Sequence, residues 1–158
     1  MGPTTSSIQP DPTWTSSVIR PLFGAEYADY LRSVIDSARF RVWITMFVWR
    51  WYPNDPGSPI QLINQALIAA QRRGVDVRAL VNLSGALKYF QEARINVRFY
   101  HGAGVLHAKA VMIDSGLVIV GSHNMTMNAL TKNLEASVAL YSPEVCKRFE
   151  KFFDVSWQ

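Results

Sequence analysis

A single cysteine, Cys146, stands among the 158 residues, so no disulfide can form within the chain and nothing in it requires an oxidising compartment. No uninterrupted apolar run reaches 18 residues, which excludes a membrane-spanning helix. The opening MGPTTSSIQPDPTW has neither the basic start nor the apolar stretch of a secretory signal; it reads as a flexible tail over residues 1–15, and the expected location is cytoplasmic. Paired Cys and HxxxH spacings are missing too, so neither a metal nor another cofactor is expected. Charge of neither sign dominates: 16 Lys plus Arg against 12 Asp plus Glu gives +4, a mild bias that permits a polyanionic partner without demanding one.

What is present is globular in character, with 49% hydrophobic and 18% charged residues, and residues 16–158 suffice for one domain. Val18 to Phe23 reads as a strand, and Tyr27, Leu31, Val34, Ile35 and Ala38 then recur at helical spacing. Arg39 to Trp51 is rich in β-branched and aromatic residues and stops at the turn cluster PNDPGSP, as a long buried strand does. Ile60, Ile63, Leu67 and Ala70 form the next helical stripe, closed by Arg72, Arg73 and Gly74. VDVRALVNL is again strand, Ala86 to Ala93 a short helix and INVRFY a strand. Ser142-Pro143-Glu144 opens a closing helix striped by Val145, Phe149, Phe152, Phe153 and Trp157. This alternation predicts an α/β domain: a mixed, mostly parallel sheet with helices on both faces.

The chemistry is concentrated between His107 and Asn124, in HAKAVMIDSGLVIVGSHN. On a strand from Leu106 to Ile113, His107 and Lys109 share a face, whereas Asp114 has the opposite parity and falls at the strand's end. Asp114-Ser115-Gly116 has turn chemistry, and the apolar run Leu117 to Val120 follows at once, so a hairpin is expected. If paired residues sum to about 230 or 231, His107 lies across from His123 or Asn124, and Lys109 across from Gly121 or Ser122. Gly121 is expected to let a phosphate approach the backbone.

These residue types suit phosphodiester cleavage. Imidazole can attack phosphorus covalently, while Lys and amide donors stabilise the charge that develops on the equatorial oxygens. The leaving oxygen needs a proton and the second step needs a base, so a further acid–base group is required. His101 and His123 are candidates within the chain; a second copy of His107, across a two-fold axis, is the other.

The pattern HxKxxxxD followed by GSxN, at His107, Lys109, Asp114, Gly121, Ser122 and Asn124, resembles the phospholipase D superfamily. TKNLEASVAL and the order from Val18 to Trp157 are similar to its small single-motif bacterial endonucleases. The resemblance implies a homodimer in which two motifs make one site, with His107 of one subunit the nucleophile and His107 of the other the acid and then the base. It implies that Lys109 and Asn124 hold the phosphate, that Ser122 assists, and that Glu135 hydrogen-bonds the far nitrogen of His107. Asp114 belongs to the motif, although its parity makes it a turn and support residue. No divalent ion is implied.

Three functions follow as expectations. The first is a metal-independent endonuclease on DNA or RNA; the second, a phospholipase D or phosphatidyl transferase acting on lipid headgroups; the third, a nucleic-acid-targeting module of a larger protein. The block WITMFVWRWY, with Trp43, Trp49, Trp51 and Tyr52, is expected to fill the core with alternate members and to reach a rim near Pro53; base stacking is its other reading.

Overall fold

A computed structural model describes residues 18–158; the predicted tail of residues 1–15 lies outside them. The element order is β1 (Val18–Phe23), α1 (Glu26–Ser37), β2 (Arg41–Trp49), α2 (Pro59–Arg72), β3 (Asp76–Ser84), α3 (Leu87–Glu92), β4 (Asn96–Phe99), β5 (Ala110–Ile113), β6 (Leu117–Gly121), α4 (Met127–Thr131), β7 (Ala136–Tyr141) and α5 (Pro143–Trp157). The strands form one sheet in the order β1-β7-β6-β5-β2-β3-β4.

Alternation along the strands sorts the core into two layers. Val42, Ile44 and Met46 of β2 join Val77, Ala79 and Val81 of β3 against α1 and α2, whose inward stripes include Leu31, Ile35, Ile63 and Leu67. Trp43, Leu80, Met112 and Val118 face the other way, onto Cys146, Phe153 and Trp157 of α5. Helices therefore cover both faces, as the alternating sequence predicts. Pro59 sits in the first turn of α2, and Gly74 beyond its end takes φ +89°. Ser142 caps α5 by accepting from Val145 N at 3.4 Å.

The balance of strand directions differs from expectation. Among the described residues only β2–β3 and β3–β4 are parallel strand pairs, and the other four pairings are antiparallel. The reason lies in connection length: the tight turn from β5 to β6 can join only antiparallel neighbours, whereas α2 and α3 supply the crossovers that parallel strands need. α4 also arises in a segment with no evident helical stripe; Thr126 caps it by accepting from Ala129 N.

α5 is fastened by stacked aromatic and guanidinium groups. The Arg41 and Arg78 guanidinium carbons lie 4.9 and 5.0 Å from the Trp43 ring, and Arg98 lies 4.6 Å from the Trp157 ring while Nη1 donates to Trp157 O at 2.6 Å. Phe153 stacks between Trp43 and Trp157, with centroids 5.1 Å from each. Trp49 is fully buried and donates its indole N–H to Asn64 at 2.9 Å, whereas Trp51 and Tyr52 are half-buried, as the rim reading has it.

Candidate functional site

The hairpin has the expected register. Ala110 pairs with Val120, Met112 with Val118 and Ile113 with Leu117, and Gly121 N donates to Lys109 O at 3.3 Å, so the pairs sum to 230. The strand itself begins at Ala110, not at Leu106; residues 105–109 lead into it without regular secondary structure. His107, Lys109, Ser122 and Asn124 line one open depression of about 530 Å³, together with Phe47 and Phe149.

Within it His107 is exposed, with its ring 4.7 Å from Phe47 and tilted by 50°. Lys109 is only 8% exposed; its Nζ donates to His107 O at 2.7 Å, lies 3.4 Å from His107 Nδ1 and sits 5.3 Å from the Phe47 ring. Burial lowers the Lys109 pKa, an effect that the charge of Glu135 opposes. A cation held this close to the imidazole makes the spot hospitable to an anion. Asn124 accepts through Oδ1 from Val48 N at 3.2 Å, which leaves its amide hydrogens as the donors it can offer a ligand. That bond and the neighbouring Met125 N to Val48 O bond, 3.1 Å, tie the GSxN loop to the end of β2.

Several expectations meet a different arrangement in the structure. Glu135 does not hydrogen-bond His107 in this arrangement: it accepts from the Ser122 hydroxyl and, at 3.0 Å, from Asn133 Nδ2. Burial alone would raise its pKa, but the hydrogen bonds from Ser122 and Asn133, with the nearby His123 and Lys109, outweigh that and hold the carboxyl below its usual range. Ser122 is correspondingly committed, giving its proton to Glu135 and accepting from Ala136 N at 3.1 Å. Gly121 has a local reason to be glycine: a Cβ there would stand 2.4 Å from Ser137 Cα and 2.5 Å from Ala136 O, so β7, not a phosphate, requires the bare backbone.

His123 leaves the set of acid–base candidates. It is 1% exposed, stacked on Tyr27 at 4.1 Å, with Nδ1 2.7 Å from Ser137 Oγ and Nε2 3.0 Å from Gly24 O. Burial depresses its pKa, against the opposing effects of the Gly24 hydrogen bond and the Glu135 charge, and its packing is that of a structural group. His101 is exposed and lines a different hollow, with Tyr100 and Arg98. Asp114 lies at the far end of β5, in the left-handed region at φ +52°, which Asp tolerates. Its carboxylate accepts from the backbone N–H groups of Arg39, Phe40 and Arg41 at 3.2, 2.8 and 3.2 Å, and Arg41 Nε donates to its carbonyl at 2.7 Å. Asp114 is a clasp between the hairpin turn and the start of β2, in keeping with its parity and against a place among the reacting groups.

Phe47 and Phe149 join the site without any motif to announce them. Phe47 belongs to β2, the strand that pairs with β5, and stands two residues before that strand's end.

The geometry can be set beside known proteins. The family model described as "Cardiolipin synthase, PLD-like domain" matches residues 31–157. A phospholipase D of Rickettsia prowazekii is 34% identical over 104 residues, covering 62% of this chain and 51% of the relative. The chain thus spans about half the length of the curated relatives it matches first. Among solved structures, Nuc of Salmonella typhimurium, a phospholipase D family member, superposes with TM-score 0.77 at 24% identity over 90% of this chain and 95% of its own. NucT of Helicobacter pylori does so with TM-score 0.76 at 19% identity, over 90% and 96%. With one family pattern running through most of the sequence and the matching fold beneath it, the chain belongs to the phospholipase D-like family.

Proposed function

We propose that this protein is a metal-independent phosphodiesterase that cleaves DNA or RNA internally through a phosphohistidine at His107. The observation that supports it is the joint one: an exposed imidazole in the same open depression as a desolvated ammonium and an amide whose oxygen is already engaged. In the first step a His107 nitrogen bonds to phosphorus, the P–O bond to the leaving strand breaks, and that oxygen takes a proton. In the second, water displaces the histidine as a base removes its proton. Lys109 and the Asn124 amide hold the non-bridging oxygens as they gain charge. Ser122 acts through Glu135, and Glu135 sets the local charge balance against Lys109.

The one histidine of the depression serves either as nucleophile or as acid, so a second copy of the chain completes the site, with the two His107 side chains facing across a two-fold axis. The test is an assay in EDTA on the size-exclusion peak, with plasmid and single-stranded substrates and a His107→Ala control. Cleavage by a dimer, abolished in His107→Ala, is expected; equal activity in the variant, or full activity in a monomer, refutes the mechanism. Cell fractionation tests the cytoplasmic setting, which belongs to the same proposal.

A lipid headgroup is the second reading, favoured by one observation. An apolar hollow lined by Val145, Phe149 and Phe152 shares Ala108 and Phe149 with the site depression. Choline release from phosphatidylcholine vesicles without nucleic-acid cleavage would select it. Tight nucleic-acid binding with no turnover would instead indicate a targeting module of a longer protein.

A further inference from the structure

Trp51 stacks on Tyr89 where the chain has left β2 and where α3 begins, with ring centroids 5.1 Å apart and planes 8° from parallel. Both rings are half-buried, and they wall a hollow of about 610 Å³ whose lining includes Arg72, Arg94, Gln71 and Glu92. That is within the size range of small-ligand sites. Arg50 Nη1 lies over Gly85, 3.5 Å from where a Cβ would stand, and Lys88 Nζ lies 5.5 Å from the Tyr89 ring.

The charge of this region is unspent. Among the described residues the ion pairs are Arg32–Asp36, Arg41–Glu150 and Arg78–Asp76, so Arg50, Arg72, Lys88 and Arg94 have no carboxylate partner there. Other parts of the Trp-rich strand are occupied: Trp43 is covered by Arg41 and Arg78, and Trp49 is buried against Asn64. The hollow lies on the α2 face of the sheet and the site depression on the α5 face, and their linings approach each other at the end of β2. Phe47, in the site depression, and Trp51 are four positions apart along β2 and its extension, at most roughly 13 Å at about 3.3 Å per residue.

We propose that this hollow is a subsite for single-stranded nucleic acid. A base lies against the Trp51–Tyr89 pair, its phosphate meets Arg72 and Arg94, and Arg50 and Lys88 carry the backbone toward His107. Aromatic faces accept any unpaired base, and guanidinium groups track phosphates without reading sequence. Glu92 and Gln71 offer acceptors to exocyclic amino groups, which gives the one carboxylate of the lining a role in a ligand that is otherwise anionic. A duplex, with its bases already stacked in pairs, has none to offer such a pocket. The proposal rests on the nuclease reading and adds to it a strand class and a place outside the reacting centre.

The test uses anisotropy of a labelled single-stranded 15-mer in EDTA, with all proteins carrying His107→Ala so that nothing turns over. Tyr89→Leu is expected to weaken binding about 10-fold. The pair Arg72→Gln and Arg94→Gln is expected to reduce the salt slope of log K by about 0.7, for the one phosphate no longer neutralised. These two arginines have no ion-pair partner within the described chain, so the pair tests the idea even if Tyr89→Leu disturbs packing. With His107 restored, the arginine variant should hydrolyse a small chromogenic diester at the parent rate while losing oligonucleotide cleavage. Unchanged affinity and slope in the arginine variant overturn the subsite, as does parent protein that binds single strands no better than duplex. Failure of the parent to hydrolyse the small diester overturns the phosphodiesterase reading itself, so the two failures are distinct.

Discussion

Replacing Asp114 separates its place in the motif from its place in the fold. Asp114→Ala removes an acceptor that serves three backbone N–H groups, one at 2.8 Å and two at 3.2 Å. Arg39 and Phe40 are exposed, so water replaces part of what is removed, and the three bonds together are worth about 2 kcal/mol. Alanine must also hold φ +52°, which adds about 1 kcal/mol. The total of about 3 kcal/mol corresponds to a melting temperature about 6–12 °C lower for a domain of this size. Asp114→Asn should cost far less, about 1 kcal/mol, because one oxygen, Oδ1, makes the bonds to all three donors and Asn accepts the left-handed conformation. Melting curves for the two variants, with kcat/KM on a small diester measured well below both transitions, check the ranking. Activity within about twofold of the parent is expected for the folded variants. Unchanged melting with activity reduced a hundredfold would mean that Asp114 acts in the chemistry, and the clasp argument would fail.

Gly121→Ala should destabilise by about 2–3 kcal/mol in urea unfolding, because the new methyl meets backbone of β7; adding Ser137→Ala should not restore stability, since Ser137 Cα and Ala136 O remain in the way. His123, its pKa depressed by burial, binds a proton more readily when unfolded, so its contribution is complete above the unfolded pKa of about 6.5 and declines as the pH falls through it. Urea midpoints between pH 7 and 5 should fall more steeply in the parent than in His123→Gln; parallel curves would contradict a buried neutral imidazole. Ser122→Ala removes a hydrogen bond that lowers the Glu135 pKa, so a Glu135-linked acid limb of the pH–rate profile should move to higher pH, and an unmoved limb would detach Glu135 from the reaction.

The parts of the fold readable from sequence are those governed by local rules. The end of β1 at Phe23 is marked by the glycine after it, and the hairpin register follows from Asp114-Ser115-Gly116 together with strand parity. The closing helix is marked by Ser142 and Pro143. What stays hidden depends on neighbours remote in the chain. That Glu135 answers Ser122, that His123 rests against Tyr27 and Gly24, and that Gly121 yields to Ser137 are all consequences of β7 lying beside β6, and α1 and the turn before it lying close by. Likewise the mostly parallel sheet is an inference from alternation, and alternation counts elements without saying which strands become neighbours. At the site, residue type and spacing identify the polar groups, but the aromatic floor at Phe47 comes from a strand some 60 positions earlier than His107, by the numbering of the two.

The route of the chain from β4 to β5 has a kinetic consequence. β2, β3 and β4 pair in sequence order through helical crossovers, so this half of the sheet can condense from contacts close along the chain. β5 cannot join until the chain has returned from the sheet's edge to its middle and paired Ala110–Ile113 with Thr45–Val42. His107 and Lys109 ride on the last residues of that returning segment, and Asn124 is fixed only when it reaches the end of β2. The reactive groups are therefore gathered by the slow, long-range step of folding. A chain that has not yet made this pairing carries its histidine without the setting that β2 provides.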